Sequence, residues 1–460
     1  MALLYAVRVR MILLLSSVVL SLHNVLVHSE ITLEGYDPEC TIQDEDEFDF
    51  YECNATFSSK YYCSLSLEQQ NWLQSLWQEA IQDRSNKPRK RREIRVLSET
   101  ERLTYFRAIN RLKTDTTIAP NKYDTLAMVH TSRTMCSAHQ GSNFLGWHRV
   151  YLLLYETALR QKDKSVVLPY WNSVLDNHNI TAPKKTVLFT KDFLGNGNGN
   201  VTDGPFKHWR DIYNCPLNRN ISRPGSELLS PEIVEWIEND NSIFLVEDII
   251  DHLGSAERIK TIEGQHNLPH GWVGGMMSIL SSSPQDPAFF LHHAYIDYMW
   301  EKFRQKQLRL GKDPEYYTGL GVSEWISESQ NYNLTLFHTP HRNMDCFQWM
   351  KNIDGYSNNF TKNLYVYEDS PTYPDCGNTK YLNWNTLLKR CIGVNPVSSV
   401  PQSIKPDYVH LIIIISISFI LLIIISFSVF LTLRKIKRVT IFTVSNEELK
   451  PLCRRSVSNI

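Results

Sequence analysis

The histidines of this 460-residue chain fall into two clusters that could each hold one metal ion. The first cluster is His130, His139 and His148, and the second is His266 and His270 followed by the pair His292-His293. Residues four apart lie on one face of a helix, so His266 and His270 can share one ion. Imidazole is a favoured ligand for copper, zinc and iron. Three imidazoles without a carboxylate or thiolate suit copper and leave positions open for dioxygen.

Helices are predicted to present both clusters. Apolar residues with helical spacing predict helices over about 147–161 and 290–304. A capping box, Ser98-Glu99-Thr100-Glu101, predicts a further helix that runs to about residue 113. The stretch 185–224, rich in glycine and asparagine, is predicted to be a long polar loop.

Sequence motifs around these clusters resemble the copper-binding regions of the tyrosinase family. Phe144–Arg149 resembles the first copper region of the family, and Leu168–Trp171 resembles the motif that follows that region. The second copper region is resembled almost residue for residue by 266–270, 272–276 and 286–297. The resemblance covers roughly residues 91–305. The short run Tyr365-Val366-Tyr367 is similar to the motif that closes the family's core domain.

The resemblance implies a mainly helical, tyrosinase-like core in which a four-helix bundle holds two copper ions. It implies that the first copper is bound by His130, His139 and His148. It implies that the second is bound by His266, His270 and His293, with His292 packed beside the ligands. It also implies that Glu263 and Asn267 hold a water that helps to deprotonate an incoming phenol.

Other roles for the acidic and amide residues are open at this point. Asp297 lies four residues after His293, so it either accepts a hydrogen bond from a ligand imidazole or is a helix-surface carboxylate. For Glu263 the alternative is an exposed carboxylate at a helix start. For Asn267 it is an N-terminal cap of the second cluster's helix. Pro269 is accordingly expected in the first turn, where its missing N–H is tolerated.

The activity implied by the resemblance is oxidation of monophenols to o-diphenols and o-quinones with dioxygen, for pigment formation or for protein cross-linking and hardening. The substrate would be a small phenol or a protein tyrosine. Three alternatives stand beside it: a catechol oxidase without hydroxylase activity, a zinc-bearing relative that tautomerises dopachrome, and an oxygen carrier. One copper domain with a membrane anchor disfavours the carrier. The formal net charge of −1 gives no indication of a nucleic-acid partner.

Both ends of the chain predict a membrane-anchored protein of the secretory pathway. Residues 1–29 have the basic start, apolar centre and more polar exit of a signal peptide. Residues 411–433 form an uncharged apolar run long enough to span a bilayer as one helix. The basic residues that follow place 434–460 in the cytosol. We expect a single-pass type I protein of the plasma membrane, a vesicle or a melanosome-like organelle.

Cysteines and glycosylation sequons agree with this topology. Only Cys453 follows the predicted span, and disulfides are expected among the eight cysteines before it. Some members of the resembled family link a cysteine to the second histidine by a thioether at a spacing of two. Cys136 lies three residues before His139, so we expect it in a disulfide or as a buried thiol instead. All six sequons precede the span, at Asn54, Asn179, Asn200, Asn220, Asn333 and Asn359.

The predicted domains follow from these features. They are a signal peptide 1–29, a cysteine-containing segment 30–92, the dicopper domain 93–345, a second cysteine-containing segment 346–410, the membrane helix 411–433 and the tail 434–460. The basic run Arg89-Lys90-Arg91-Arg92 at the first boundary suits either a solvated loop before the first core helix or a proprotein-processing site.

Overall fold

The computed structural model describes residues 53, 61–83, 87–131, 134–177, 186–242, 245, 247–250, 261–321, 323–327 and 330–396, with positions 425, 426 and 429. The described residues up to Pro396 belong to one compact unit. Within the described residues the fold is mainly helical, as predicted.

Nine α-helices lie in the described residues: α1 Leu67–Gln82, α2 Glu99–Lys113, α3 Lys122–Met128, α4 Thr134–Ala138, α5 Asn143–Lys162, α6 Pro231–Asn239, α7 Glu247–Ile250, α8 Ile262–Val273 and α9 Ala288–Arg309. The predicted capping box is confirmed, since Ser98 accepts from the backbone N–H of Glu101 and donates its own N–H to that side chain. The helices predicted over 147–161 and 290–304 are present as α5 and α9, and both are longer than predicted.

The centre of the fold is α5, in which every residue from Asn143 to Leu159 is buried. It packs against α1, α2 and α9, while α9 also packs against α6 and α8. A helix that is surrounded on all sides needs apolar residues on all faces, and α5 supplies them. Because α5, α8 and α9 carry five of the histidines singled out in the sequence, this packing brings the two clusters together.

Short strands pair two by two in the described residues. The antiparallel pairs are β2 Asn198–Asn200 with β3 Asn218–Asn220, β4 Ser323–Ser327 with β5 Gln330–Asn333, β6 Asn343–Met344 with β7 Phe347–Lys351, and β9 Leu382–Asn385 with β10 Arg390–Gly393. The predicted polar loop 185–224 therefore contains β2 and β3. It also buries Phe193 and Phe206, so it packs as part of the core.

The basic run at residues 89–92 is neither a solvated loop nor an accessible processing site. Arg89–Arg91 forms strand β1, which pairs in parallel with β8, Tyr365–Tyr367. The Arg91 guanidinium is fully buried, 2.8 Å from Glu156 of α5 and 3.5 Å above the Tyr365 ring. A charged side chain is buried in this way only when it is paired, which a local sequence pattern does not reveal.

Three disulfides join the described residues: Cys53–Cys136, Cys63–Cys346 and Cys376–Cys391. The disulfide prediction for Cys136 is thus confirmed. Helix α1 lies in the segment predicted as a separate N-terminal piece, yet it packs on α5. The predicted boundaries at residues 92 and 345 accordingly fall inside one compact unit.

The predicted signal peptide lies outside the described residues, as does the predicted membrane segment 411–433 apart from three positions. Among the helices that are described, none combines the length and apolar character needed to cross a bilayer. The two segments stay predictions.

Candidate metal centre

The first histidine cluster is assembled by three successive elements. His130 follows α3, His139 follows α4 and His148 lies in the second turn of α5. One ring nitrogen of each lies within 4.8 Å of the others, and all three side chains are buried. The Nε2 atoms of His130 and His148 are 3.3 Å apart. The structure therefore brings these three predicted residues together.

The second cluster is carried by two helices. His266 and His270 lie on one face of α8, and His293 lies in the second turn of α9. The Nε2 atoms of His270 and His293 are 3.1 Å apart, and the ring centroids of His266 and His293 are 4.7 Å apart. The rings of His148 and His293 stack at 4.5 Å, so the two clusters adjoin.

The neighbouring His292 also lies close to this cluster. One of its ring nitrogens is within 4.8 Å of those of His266 and His270, so distance alone favours it as the third member. The Nε2 contacts favour His293, because its Nε2 lies 3.1 Å from Nε2 of His270, whereas Nε2 of His292 donates to the carbonyl of His266 at 2.9 Å. The His292 ring also stacks on the His266 ring, with planes 10° apart.

Backbone carbonyls orient four of these imidazoles. The Nδ1 atoms of His130, His148, His266 and His270 lie 2.8–2.9 Å from the carbonyl oxygens of Leu280, Phe144, Glu263 and Met277, respectively. Because a carbonyl only accepts, each Nδ1 carries the proton and each Nε2 keeps its lone pair. The Nε2 atoms of His130 and His148 therefore cannot hydrogen-bond to each other. A cation bound by both lone pairs would stabilise their close approach.

The Nε2 separations fit a shared metal ion. Two imidazole nitrogens bound tetrahedrally at zinc-like distances of about 2.0–2.1 Å are roughly 3.3 Å apart. Burial, with the neighbouring histidines, lowers the pKa of His130, His139, His266 and His293 well below the usual value. Burial lowers the pKa to about 3 for His148 and to about 4 for His270. The imidazoles are therefore neutral near pH 7, which is the ligand form, and an all-imidazole donor set suits copper.

The chain matches known tyrosinases in sequence. The family model described as the common central domain of tyrosinase matches residues 120–306. The tyrosinase of Streptomyces glaucescens is 32% identical over 232 residues, which are 45% of this chain and 81% of that protein. This chain belongs to the tyrosinase family.

Other tyrosinase relatives extend the match along the chain. Tyrosinase-like protein 2 of Margaritifera margaritifera is 42% identical over 310 residues, covering 63% of this chain and 64% of that protein. The chain thus spans slightly less than two thirds of the length of that relative. A functional unit of octopus haemocyanin superposes with a TM-score of 0.43 and 21% identity, over 61% of this chain and 68% of that chain. A superposition this loose adds nothing to the assignment to the tyrosinase family.

Aromatic rings line the tyrosinase-type centre. Phe289 stacks on His293 with ring centroids 4.0 Å apart and lies 5.1 Å from His130. Phe290 points away from the histidines and stacks on Tyr155 at 3.6 Å. Of these two phenylalanines, Phe289 belongs to the wall of the centre and Phe290 to the packed interior.

Glu263 is buried rather than exposed at its helix start. Its two carboxylate oxygens accept the backbone N–H of Gln140 at 2.8 and 2.9 Å. Gln140 directly follows His139, so Glu263 connects the helix of the second cluster to the loop of the first.

Asn267 and Pro269 do not occupy the start of α8. The helix is capped by Thr261, whose hydroxyl accepts from the N–H of Gly264 at 2.9 Å. The proposed capping role of Asn267 is therefore wrong, and this exposed residue lies one turn after Glu263 on the same face. The prediction for Pro269 is also wrong, because it lies inside the helix.

Asp297 contacts none of the histidine rings, and neither sequence prediction for it holds. It is buried, and it accepts hydrogen bonds at 2.7 Å from Arg149, Tyr365 and Tyr367. Although burial opposes ionisation, Arg149 and Arg91 lower the pKa of Asp297 and keep it charged. Asp297 thereby joins α5, α9 and β8. Arg149 forms its ion pair with Asp297 at 2.7 Å.

Sequence reasoning missed His338, which is fully buried behind the first cluster. Its Nδ1 accepts the backbone N–H of Asn143 at 3.1 Å, so its Nε2 carries the proton. That Nε2 donates to the carbonyl of His139 at 3.0 Å. No local signal marks His338, since it lies outside every motif of the tyrosinase resemblance.

Proposed function

We propose that this protein is a copper-dependent oxidase that uses dioxygen to convert phenols or catechols to o-quinones. The observation that carries the proposal is the pair of adjoining all-imidazole clusters, each with two Nε2 atoms 3.1–3.3 Å apart. Membership of the tyrosinase family supports it.

The histidines are proposed to divide into two ligand sets. His130, His139 and His148 would hold one copper, and His266, His270 and His293 would hold the other. Bound copper would supply the electron transfer with dioxygen, which zinc cannot, because zinc has no redox chemistry. His292 is assigned to packing, because its Nε2 proton is committed to the His266 carbonyl.

Glu263 and Asn267 are proposed to hold a water that accepts the phenol proton. They lie one turn apart on α8, and the Glu263 carboxylate is a hydrogen-bond acceptor. Deprotonation of the phenol oxygen at this point favours hydroxylation of monophenols over oxidation of catechols alone. Phe289, stacked on His293, offers a face against which a phenol ring can pack.

The protein is proposed to act in the secretory pathway as a single-pass type I membrane protein. Three disulfides among the described residues are consistent with an oxidising compartment. The side chains of Asn220 and Asn359 are exposed and that of Asn200 is partly exposed, so all three sequons are accessible to glycosylation. Asn54 and Asn179 lie outside the described residues, and only the backbone of Asn333 is described. The proposed product would serve pigment formation or protein hardening.

Metal content and the optical spectrum of the purified full-length protein test this proposal. We expect two coppers per chain and a near-ultraviolet band on addition of hydrogen peroxide. Turnover of tyrosine as well as DOPA would identify a hydroxylase, and turnover of DOPA alone a catechol oxidase. Stoichiometric zinc without the band would overturn the oxidase and favour the tautomerase, whereas two coppers with reversible dioxygen binding and no turnover would favour the carrier.

The adjacent histidines of α9 provide a matched pair of variants. His293→Asn is expected to leave one copper per chain, because it removes a proposed ligand. His292→Asn is expected to retain two coppers, because the Nε2 of His292 donates to the His266 carbonyl and is not a proposed copper ligand. The opposite result would transfer the ligand role to His292.

A further inference from the structure

His139 differs from the other histidines of the centre in how its ring is held. Neither of its ring nitrogens has a hydrogen-bond partner among the described residues. Four of the others are oriented by a carbonyl at Nδ1. His139 directly follows α4, and its N–H donates to the Met135 carbonyl at 3.1 Å, but its own carbonyl lies beyond the helix. Its position must therefore come from contacts made by the surrounding main chain.

His338 supplies such a contact from 199 residues away in the sequence. Its imidazole bridges two backbone groups: it accepts from the N–H of Asn143 and donates to the carbonyl of His139. Asn143 is the first residue of α5, the helix that carries His148. The bridge thus ties the backbone of His139 to the helix that presents His148.

The His338 ring lies in a slot that two glycines form. A Cβ atom on Gly141 would lie 2.7 Å from Cδ2 of His338, and a Cβ atom on Gly321 would lie 2.8 Å from the same atom. Such distances are far inside van der Waals contact, so the ring and any larger residue at either position exclude each other. The Tyr317 hydroxyl donates to the His338 carbonyl at 2.8 Å and holds the backbone behind the slot.

We propose that His338 is a positioning residue that holds His139 in place to bind copper. This inference rests on the proposed function, since it assigns His139 to the first copper. The donor is the decisive half of the bridge: Nε2 fixes the His139 carbonyl, while Nδ1 anchors His338 to the start of α5. A residue that merely fills the slot would be replaceable by any side chain of similar volume, whereas the bridge depends on one donor in one place.

Two variants separate the donor from the acceptor. In His338→Gln, the amide nitrogen can take the position of Nε2 and donate to the His139 carbonyl. In His338→Asn, the amide oxygen can take the position of Nδ1, but the shorter side chain does not reach that carbonyl. Copper affinity is measured on the full-length protein by competition with a chelator, without any phenol. Hydrogen exchange of residues 134–143 is measured on the copper-free protein.

We expect His338→Asn to lower the affinity for one of the two coppers by about 10–100-fold, as for other residues that orient metal ligands. His338→Gln should keep both coppers, within about threefold of the parent protein. Exchange at residues 134–143 should accelerate in His338→Asn only. Equal copper affinity in the two variants would overturn the proposal, whether both fall or neither does. If His338→Asn does not fold, His338→Gln still tests the proposal, because loss of either copper in that variant would overturn it.

The outcome is distinguishable from failure of the proposed function. A parent protein that binds two coppers but oxidises no phenol would overturn the oxidase and leave the His338 result valid. Normal phenol oxidation with no copper defect in His338→Asn would overturn the positioning role alone. A parent protein that binds no copper would overturn both.

Discussion

The two histidine clusters are built in different ways. The second is carried by helices: His266 and His270 share a face of α8, and His293 extends from α9. The first has only His148 in a long helix, while His130 and His139 lie in connections. The first cluster is correspondingly held by distant contacts, namely the Cys53–Cys136 disulfide, the Glu263 carboxylate on Gln140 and the His338 imidazole on His139.

This difference shows what local structure can and cannot position. A helix fixes the relative placement of residues four apart through its own backbone hydrogen bonds. A connection has no such restraint, and its conformational entropy must be offset by contacts from elsewhere. We therefore expect the second cluster to persist when distant contacts are removed, and the first to be lost selectively.

Removing the contact that both clusters share should have the largest effect. Asp297 joins α9, which carries His293, to Arg149 of α5, which carries His148. Asp297→Asn removes one of the two carboxylates paired with each of two buried arginines, Arg91 and Arg149, and should cost up to about 3–5 kcal/mol in the free energy of unfolding. Urea denaturation of the copper-free protein would measure the loss. Both coppers should weaken together.

The control for this variant is Glu301→Gln. Glu301 also contacts Arg149, at 3.3 Å, but its side chain is 13% exposed. Its replacement should cost about 1 kcal/mol or less. An Asp297→Asn protein that is as stable as Glu301→Gln, or that loses a single copper, would show that the shared network does not support both clusters.

Sequence patterns predict the helical part of this molecule better than the connections. The spacing of His266 and His270, the capping box at Ser98 and the apolar faces of α5 and α9 are local signals, and each corresponds to an observed element. The partners of Asp297 and His338 are not predictable in this way. They lie 148 and 199 residues away, so only the folded chain brings them together.

The errors have the same physical origin. The basic run at residues 89–92 has the composition of a solvated loop, yet Arg91 is buried because Glu156 and Asp297 lie beside it. Pro269 is placed inside α8 although it removes a backbone donor there. In both cases a tertiary contact or a neighbouring element overrides the local preference.

Removing the disulfide tests the selective dependence of the first cluster. Replacing Cys53 and Cys136 by alanine should cost about 2–4 kcal/mol of stability and weaken one copper. The matched control replaces Cys376 and Cys391, a disulfide distant from the histidines in sequence. It should cost a similar free energy of unfolding but leave both copper affinities unchanged. Loss of both coppers in the first variant, or of either in the control, would contradict the comparison.

Acidification should destabilise the copper-free protein through its buried imidazoles. The pKa of His270 is lowered to about 4 and that of His148 to about 3, from an ordinary value near 6.5, chiefly by burial. The unfolded chain therefore takes up protons first. Stability is fully present above pH 6.5 and falls as the pH drops toward 4, by about 3 kcal/mol for each of these two imidazoles. Thermal unfolding from pH 7 to pH 4.5 measures this, and His270→Asn should flatten the curve; an unchanged slope would refute the assignment.

The smallest effect concerns Glu263, whose two proposed roles can be separated. Glu263→Gln keeps an oxygen that accepts the N–H of Gln140 but loses the charge that would draw a proton from the water. Glu263→Ala loses both and leaves a buried N–H without a partner, which costs about 1–3 kcal/mol. We expect the glutamine variant to hold both coppers within about 1 kcal/mol of the parent and to lose tyrosine turnover more than DOPA turnover. The alanine variant should also weaken the first copper. If the alanine variant held that copper as tightly as the glutamine variant, the bond to Gln140 would not position the His139 loop, and Glu263 would act on the phenol proton alone.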